Sequence, residues 1–146
     1  MSNTNKKILN ASPLEWGGIK FKSKFEAQTY KLLREEGFNP TYEGIRFKIW
    51  EGLTPTVQFY DKDPKTGLLK LNMNKLRDIT YIPDFIFIWN NVEIIIEIKG
   101  FENDVFPIKK KLFRKFLESW NKPILYFEIY NKKQLIQAIE IIKNQK

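Results

Sequence analysis

The sequence feature that most constrains the fold is a pair of β-branched and aromatic segments, residues 80–89 and 92–98, separated by two asparagines. Segments of this composition favour extended strands. Asn90 and Asn91 form a two-residue connection, and asparagine tolerates the positive φ that such a turn requires. The stretch from Thr80 to Gly100 therefore predicts an antiparallel β-hairpin around which the rest of the chain is organised.

A two-residue loop also fixes which residues face each other. In that register Asp84 lies directly opposite Glu97, and Lys99 lies opposite Ile82. Side chains alternate between the two faces of a strand. One face is then predicted to carry Ile82, Asp84, Ile86, Ile95, Glu97 and Lys99, and the other Phe85, Phe87, Ile94, Ile96 and Ile98.

Two facing carboxylates inside an apolar hairpin require a compensating partner. Directly opposed Cβ atoms lie roughly 5 Å apart, and like charges at that separation are destabilising. Carboxylate oxygens suit hard ions such as Mg²⁺ and Mn²⁺. An ion held by Asp84 and Glu97 would activate water and stabilise charge on a phosphodiester, with Lys99 beside that water. The alternative is an ordinary solvated sheet edge, and a three-residue loop would break the register.

Composition narrows the chemistry further. The 146 residues include no cysteine and no histidine, which excludes disulfides, thiol nucleophiles, zinc fingers and histidine bases. The net charge of +8 favours a polyanionic partner, nucleic acid first. The length suits one domain. No apolar run has membrane-spanning length, and the start does not resemble a signal peptide, so we expect an intracellular protein without a membrane partner.

The first helix is predicted from Ser23 to Gly37, because a Ser-x-x-Glu capping box opens it and glycine closes it. Its predicted buried stripe consists of Phe25, Thr29, Leu32 and Leu33. Glu26 has a structural explanation here, since the third helical residue of a capping box bonds back to the cap. Its carboxylate therefore needs no chemical role on this evidence.

Further elements follow from periodicity. Residues 41–50 alternate as one strand with Ile45, Phe47 and Ile49 on one face, and residues 56–60 could continue the sheet. Residues 61–67 predict a turn, while residues 68–78 resist clear assignment. A helix is predicted from Pro107 to about Trp120, with the apolar face Ile108, Leu112, Phe113, Phe116, Leu117 and Trp120. Residues 122–130 predict an internal strand. A last helix after Asn131 is predicted to turn Leu135, Ile136, Ala138, Ile139 and Ile142 inward.

This order predicts an α/β fold with a mixed central sheet flanked by helices, α-β-β-β-α-β-α. The second helix carries a basic cluster near its start, made of Lys109, Lys110, Lys111, Arg114 and Lys115. The cluster is either a solvated helix face or a surface that grips phosphate beside the acidic pair.

The motifs Pro83-Asp84 and Glu97-Ile98-Lys99, with the element order, resemble the PD-(D/E)xK nuclease superfamily. Upstream, Phe21-Lys-Ser-Lys-Phe-Glu26, Gly37, Tyr42-Glu43, Thr80-Tyr-Ile-Pro-Asp-Phe85 and Lys99-Gly100 look like the phage endonuclease I family of Holliday-junction resolvases. The likeness covers about residues 20–101. Residues 54–78 have no obvious match, which leaves the shape of the substrate undetermined.

The resemblance implies a restriction-endonuclease-like core in one domain, residues 20–146, after an N-terminal arm, residues 1–19. It implies that Glu26, Asp84 and Glu97 gather one or two divalent ions, Mg²⁺ with Mn²⁺ able to substitute. Lys99 would position or activate the attacking water. The implied function is a Mg²⁺-dependent endodeoxyribonuclease acting on branched or recombination-intermediate DNA, with a location in the cytoplasm, including that of a phage-infected host.

Other readings of the same residues stay open. One is a nuclease-fold protein that binds DNA without cutting it, and another is a nuclease directed at RNA. Relatives in the resolvase branch act as dimers, but the residues themselves identify no dimer surface. Cleavage position, the preferred DNA structure and the number of metal ions are also undetermined by the sequence.

Overall fold

A computed structural model describes residues 14–100 and 105–146. Within these ranges the strands are β1 (Glu15–Trp16), β2 (Ile19–Lys20), β3 (Thr41–Tyr42), β4 (Phe47–Trp50), β5 (Tyr60–Lys62), β6 (Leu69–Leu71), β7 (Ile79–Tyr81), β8 (Phe85–Trp89), β9 (Val92–Ile98) and β10 (Ile124–Ile129). The helices are α1 (Lys24–Glu35), α2 (Phe106–Glu118) and α3 (Lys132–Lys143).

The predicted α/β class with a mixed central sheet is confirmed. The sheet has the strand order β10-β9-β8-β3, with β10 parallel to β9 and the other neighbours antiparallel. Taken with the three helices, these four strands follow the chain in the predicted order, α-β-β-β-α-β-α. The strand β10 lies at the edge of this sheet, so the prediction of an internal position was wrong.

The central hairpin has the predicted turn. Asn90 and Asn91 have φ values of 48° and 65°, and the β8–β9 register runs from Trp89–Val92 to Phe85–Ile96. Beyond Phe85 the chain bends, and the preceding strand β7 pairs with β4 instead of β9. The predicted opposition of Lys99 and Ile82 is therefore wrong, and the Lys99 backbone N–H donates to the carbonyl of Ile129 on the other side.

The predicted strand over residues 41–50 is two strands in different sheets. Tyr42 pairs with Phe85 in the central sheet, whereas Phe47 pairs with Tyr81 in the separate β4–β7 ribbon. The break falls at Glu43, which has a φ of 48° incompatible with an extended strand. Ile45 is consequently exposed, while Phe47 is buried as predicted.

Helix α1 begins and ends as the sequence indicates. The Ser23 side chain accepts from the Glu26 backbone N–H, and Gly37 has a φ of 92° just past the end. Thr29 and Leu33 are buried as predicted, but Phe25 and Leu32 are only partly buried.

Two hydrophobic cores lie on opposite faces of the hairpin. On one face, Phe85, Phe87, Ile94, Ile96 and Ile98 pack with α1 and α3. On the other face, Ile86 and Ile95 pack with α2, β4 and β7. The predicted division of the hairpin residues between faces is confirmed. Two helix residues predicted to point inward are exposed instead, Ile108 of α2 and Ile136 of α3.

The first 13 residues of the predicted N-terminal arm, residues 1–19, lie outside the described residues. Its remaining part is ordered, because β1 and β2 pair around Gly17 and Gly18, which both have positive φ. The turn predicted at residues 61–67 is present between β5 and β6, which form a second small ribbon, although β5 extends into the predicted turn as far as Lys62. None of the helices in the described ranges is long and apolar enough to cross a bilayer.

Candidate active site

The end of the central hairpin brings Asp84 and Glu97 together. Asp84 follows the bend at Pro83, one residue beyond the last backbone pair of β8 and β9. Its backbone N–H donates to Glu97 Oε2 at 3.3 Å, and its own Oδ2 accepts from the Ile98 backbone N–H at 2.7 Å. The predicted proximity of the two carboxylates is therefore present, and the Asp84 carboxylate accepts a backbone N–H of β9 where the strand pairing stops.

Both carboxyl groups are taken out of water. Asp84 is 8% exposed and Glu97 is 6% exposed. Burial, followed by the negative charge of Glu97, raises the pKa of Asp84 to about 8, although the hydrogen bond from Ile98 opposes the rise. At neutral pH and without a cation, the pair therefore retains a proton that an exposed aspartate would have lost.

Glu97 has more partners than Asp84. Burial raises its pKa, while a hydrogen bond from Tyr81 and the positive charge of Lys99 act in the opposite direction. The Tyr81 hydroxyl donates to Glu97 Oε2 at 2.7 Å, and Lys99 Nζ lies 3.0 Å from Oε1. Asp84 Oδ1, in contrast, accepts no hydrogen bond from any residue in the described ranges. One carboxylate oxygen of the pair thus keeps its coordinating capacity.

Lys99 is held in place on two sides. Its ammonium lies between Glu97 and the ring of Phe106, whose centroid is 3.5 Å from Nζ. Such a cation–π contact limits the freedom of the side chain. The side chain is only 15% exposed, so the amine is fixed at the edge of the carboxylate pair.

Glu26 lies near the pair but is not part of it. Its negative charge contributes to the raised pKa of Asp84. However, within the described residues no three acidic side chains form one group able to hold an ion. The carboxylate accepts from the Ser23 hydroxyl and from the Tyr42 hydroxyl. The predicted bond from Glu26 back to its cap is present, since the Ser23 hydroxyl donates to the Glu26 carboxylate.

Sequence reasoning missed three tyrosines that border these carboxylates. Tyr42 reaches Glu26, Tyr81 reaches Glu97, and the Tyr126 hydroxyl lies 3.1 Å from that of Tyr81. Burial is the first cause that raises the pKa of each tyrosine above its ordinary value, so all three stay protonated donors. A buried tyrosine hydroxyl needs a polar partner, and this is the signal that could have identified these residues. The alternation of residue types does not reveal that the chain bends before Phe85 and so brings Tyr81 to Glu97.

Two cavities border residues of this arrangement. One, of about 480 Å³, includes Glu26 and Lys99 in its wall. The other, of about 420 Å³, includes Glu97 and three basic side chains, Lys22, Arg46 and Lys109. The carboxylates are therefore buried within the protein but lie next to spaces large enough for a ligand.

The basic cluster predicted on α2 is divided between two places. Lys109 borders the cavity beside Glu97. Lys110 pairs with Glu128 at 2.9 Å and, with Arg114, borders a third cavity of about 510 Å³ against β10. Lys111 and Lys115 are exposed. Of these five residues, only Lys109 lies in the same cavity wall as Glu97.

Comparison with known proteins gives one match. A family model described as a protein of unknown function, DUF1064, matches residues 6–134, which include every candidate residue named above. No curated protein and no solved structure matches the chain.

Proposed function

We propose that this chain, which belongs to the DUF1064 family of proteins of unknown function, is a divalent-metal-dependent endonuclease that hydrolyses phosphodiester bonds in DNA. The observation that carries the proposal is the buried pair of Asp84 and Glu97 with Lys99 fixed 3.0 Å from one of its oxygens. A repulsive pair of this kind is costly unless a cation or a shared proton offsets the charge. The similarity to PD-(D/E)xK nucleases supports the same residues.

The residues fit a hard divalent ion. The pair supplies only oxygen ligands, and Asp84 Oδ1 has no hydrogen-bond partner among the described residues. Asp84 and Glu97 would hold Mg²⁺, with Mn²⁺ able to substitute, and Glu26 would support the site from the adjacent cavity. When bound, such an ion would polarise a phosphoryl oxygen and lower the pKa of a water molecule.

The side chains around the pair have distinct roles in this proposal. Lys99 is positioned by Glu97 and Phe106, so that its ammonium can orient the attacking water and stabilise charge on the phosphate. Tyr81 holds Glu97 by donating to Oε2, which leaves Oε1 toward Lys99. Tyr42 and Ser23 hold the Glu26 carboxylate in the same manner.

DNA is proposed as the substrate because the chain has a net charge of +8 and basic side chains lie beside the acidic pair. Branched DNA is proposed from the likeness to Holliday-junction resolvases, and that likeness also suggests a homodimer. The basic residues of α2, Lys109 to Lys115, would contact the backbone. The restriction-endonuclease-like core, its extent over residues 20–146 and an intracellular location belong to the same proposal.

The test is cleavage of four-way and linear DNA in Mg²⁺ by the purified protein and two variants. Asp84→Ala is expected to lower the cleavage rate at least about a hundredfold, because it removes a ligand of the ion that would stabilise charge at the reacting phosphate. Glu140→Ala is the matched control, since Glu140 is an exposed acid on α3. Equal cleavage by wild type and Asp84→Ala would refute the assignment. Salt-sensitive binding with no cleavage in Mg²⁺ or Mn²⁺ would indicate a DNA-binding protein without turnover.

A further inference from the structure

The cavity beside Glu97 gathers positive charge from three separate parts of the chain. Lys22 precedes α1, Arg46 precedes β4, and Lys109 lies in the first turns of α2. The remaining wall includes Tyr81 and the start of α2 at Phe106. The positive end of the α2 dipole therefore lies in the same wall. Among residues 14–100 and 105–146, Glu97 is the only acidic residue that lines this cavity.

Two of the three cations have no acidic partner among the described residues. Lys22 pairs with Glu43 at 2.7 Å. Arg46 Nη1 donates only to the uncharged Thr80 hydroxyl at 3.4 Å, and the Lys109 side chain has no ion-pair partner in residues 14–100 or 105–146. Like charges drawn into one concave wall raise the local potential, which favours an anion there.

We infer that this cavity binds a backbone phosphate of the nucleic acid, with Arg46 and Lys109 as its direct contacts. The inference deepens the proposed function, because Glu97 lies in the same wall and the bound phosphate would be next to the bond that is cut. Arginine offers a planar fork to phosphate oxygens and lysine a compact charge, so the two together suit a tetrahedral anion.

The inference assigns phosphate contact to only some of the basic residues in the sequence. Arg46 lies outside the basic cluster of α2, and it is brought to Lys109 only by the separate β4–β7 ribbon, which packs against that helix. Lys111 and Lys115, on the same helix as Lys109, do not line this cavity. Phosphate contact is thus assigned to two residues that are distant in sequence and share one wall.

The test measures binding of a fluorescent DNA duplex by anisotropy in EDTA, at a series of salt concentrations. Arg46→Gln and Lys109→Gln are each expected to weaken binding about tenfold and to reduce the salt slope by about 0.9. Arg46→Lys should retain the slope, because it keeps the charge. Lys146→Gln is the control, since Lys146 follows Gln145, which contacts Asn90 at the opposite end of the hairpin. It should leave both quantities unchanged.

Thermal unfolding of each variant checks that the fold is kept. Binding by Arg46→Gln and Lys109→Gln equal to that of Lys146→Gln, or no duplex binding by the wild type, would overturn the inference. Cleavage in Mg²⁺ separates the two proposals. If the wild type binds DNA, the two variants lose binding as expected and no cleavage occurs, then the phosphate site is supported and the nuclease proposal is refuted. Cleavage by the wild type with no loss of binding in Arg46→Gln and Lys109→Gln would refute the phosphate site and leave the nuclease proposal in place.

Discussion

At the scale of single residues, the acidic pair is stabilised by its neighbours but not neutralised by them. Glu97 has Tyr81 on one oxygen and Lys99 on the other, whereas Asp84 has a backbone N–H on one oxygen only. Burial, followed by the negative charge of Glu97, raises the pKa of Asp84. The raised pKa predicts that Asp84 retains a proton, which a divalent ion must displace. Ion binding should therefore strengthen as pH rises toward 8.

The same shift predicts how stability depends on pH without metal. A carboxyl group with a pKa of about 8 when folded, against an ordinary value of 3.8, binds more protons in the folded state between those values. Its contribution is complete below 3.8 and is lost as pH rises through 8. The free energy of unfolding in EDTA should therefore fall from pH 5 to pH 8, by at most about 1.4 kcal/mol per pH unit.

Asp84→Asn is the matched variant for this measurement, made by urea unfolding across the same pH range. It keeps the shape of the side chain and removes its titration, so the free energy of unfolding should fall less steeply between pH 5 and pH 8. A wild type with the same pH profile as Asp84→Asn would show that Asp84 does not retain its proton in the folded protein.

Tyr81 is predicted to position Glu97 rather than to react. Tyr81→Phe removes the 2.7 Å hydrogen bond and should lower affinity for Mn²⁺ by about 10- to 100-fold, as loss of a group that orients a metal ligand does. Isothermal titration measures this directly. Tyr60→Phe removes an exposed hydroxyl on β5 and serves as the control. If both variants bind Mn²⁺ like the wild type, Tyr81 has no positioning role.

At the scale of elements, the hairpin turn sets the geometry on which the site depends. Asn90 and Asn91 both occupy the left-handed region, so the turn has two residues and the register places Asp84 beside Glu97. A β-branched residue is strained there by roughly 1–2 kcal/mol. Asn90 also contacts Gln145, which follows α3 and lies 55 residues further along the chain, but the local signal for the turn is strong.

Substitution at Asn91 tests this dependence. Asn91→Val should lower the free energy of unfolding by about 1–2 kcal/mol, while Asn91→Gly should keep or raise it, because glycine accepts positive φ without strain. Urea unfolding at one pH compares the two variants. Equal stability of Asn91→Val and Asn91→Gly would mean that the turn does not impose this conformation.

Local signals explain how much of this structure the sequence predicted. The turn asparagines, the Ser23 cap and Gly37 each act within a few residues, and the elements that they define are present. The prediction of one strand over residues 41–50 was wrong because the alternation of residue types continues through Glu43. There the backbone has a positive φ, and the Glu43 N–H donates to the distant Asp84 carbonyl. Long-range contacts of that kind do not change the periodicity of the sequence. The contacts of the tyrosines around the carboxylates could not be predicted for the same reason.

At the scale of the whole molecule, two cores fix the central sheet from both sides. The aromatic core around Phe113, Phe47 and Tyr81 lies on the face that carries the acidic pair. It holds α2 and the β4–β7 ribbon against the sheet, and thereby brings Lys109 and Arg46 to Glu97. The acidic pair could be predicted from hairpin register, but this assembly of distant basic residues could not.

The central claim is that Asp84 and Glu97 together bind a divalent ion, and binding of Mn²⁺ to the purified protein tests it most directly. Electron paramagnetic resonance of free Mn²⁺ at pH 8 should show saturable binding by the wild type and by Glu140→Ala, and a loss of at least about tenfold in affinity in Asp84→Ala. Absence of Mn²⁺ binding by the wild type, or equal binding by Asp84→Ala, would contradict the account.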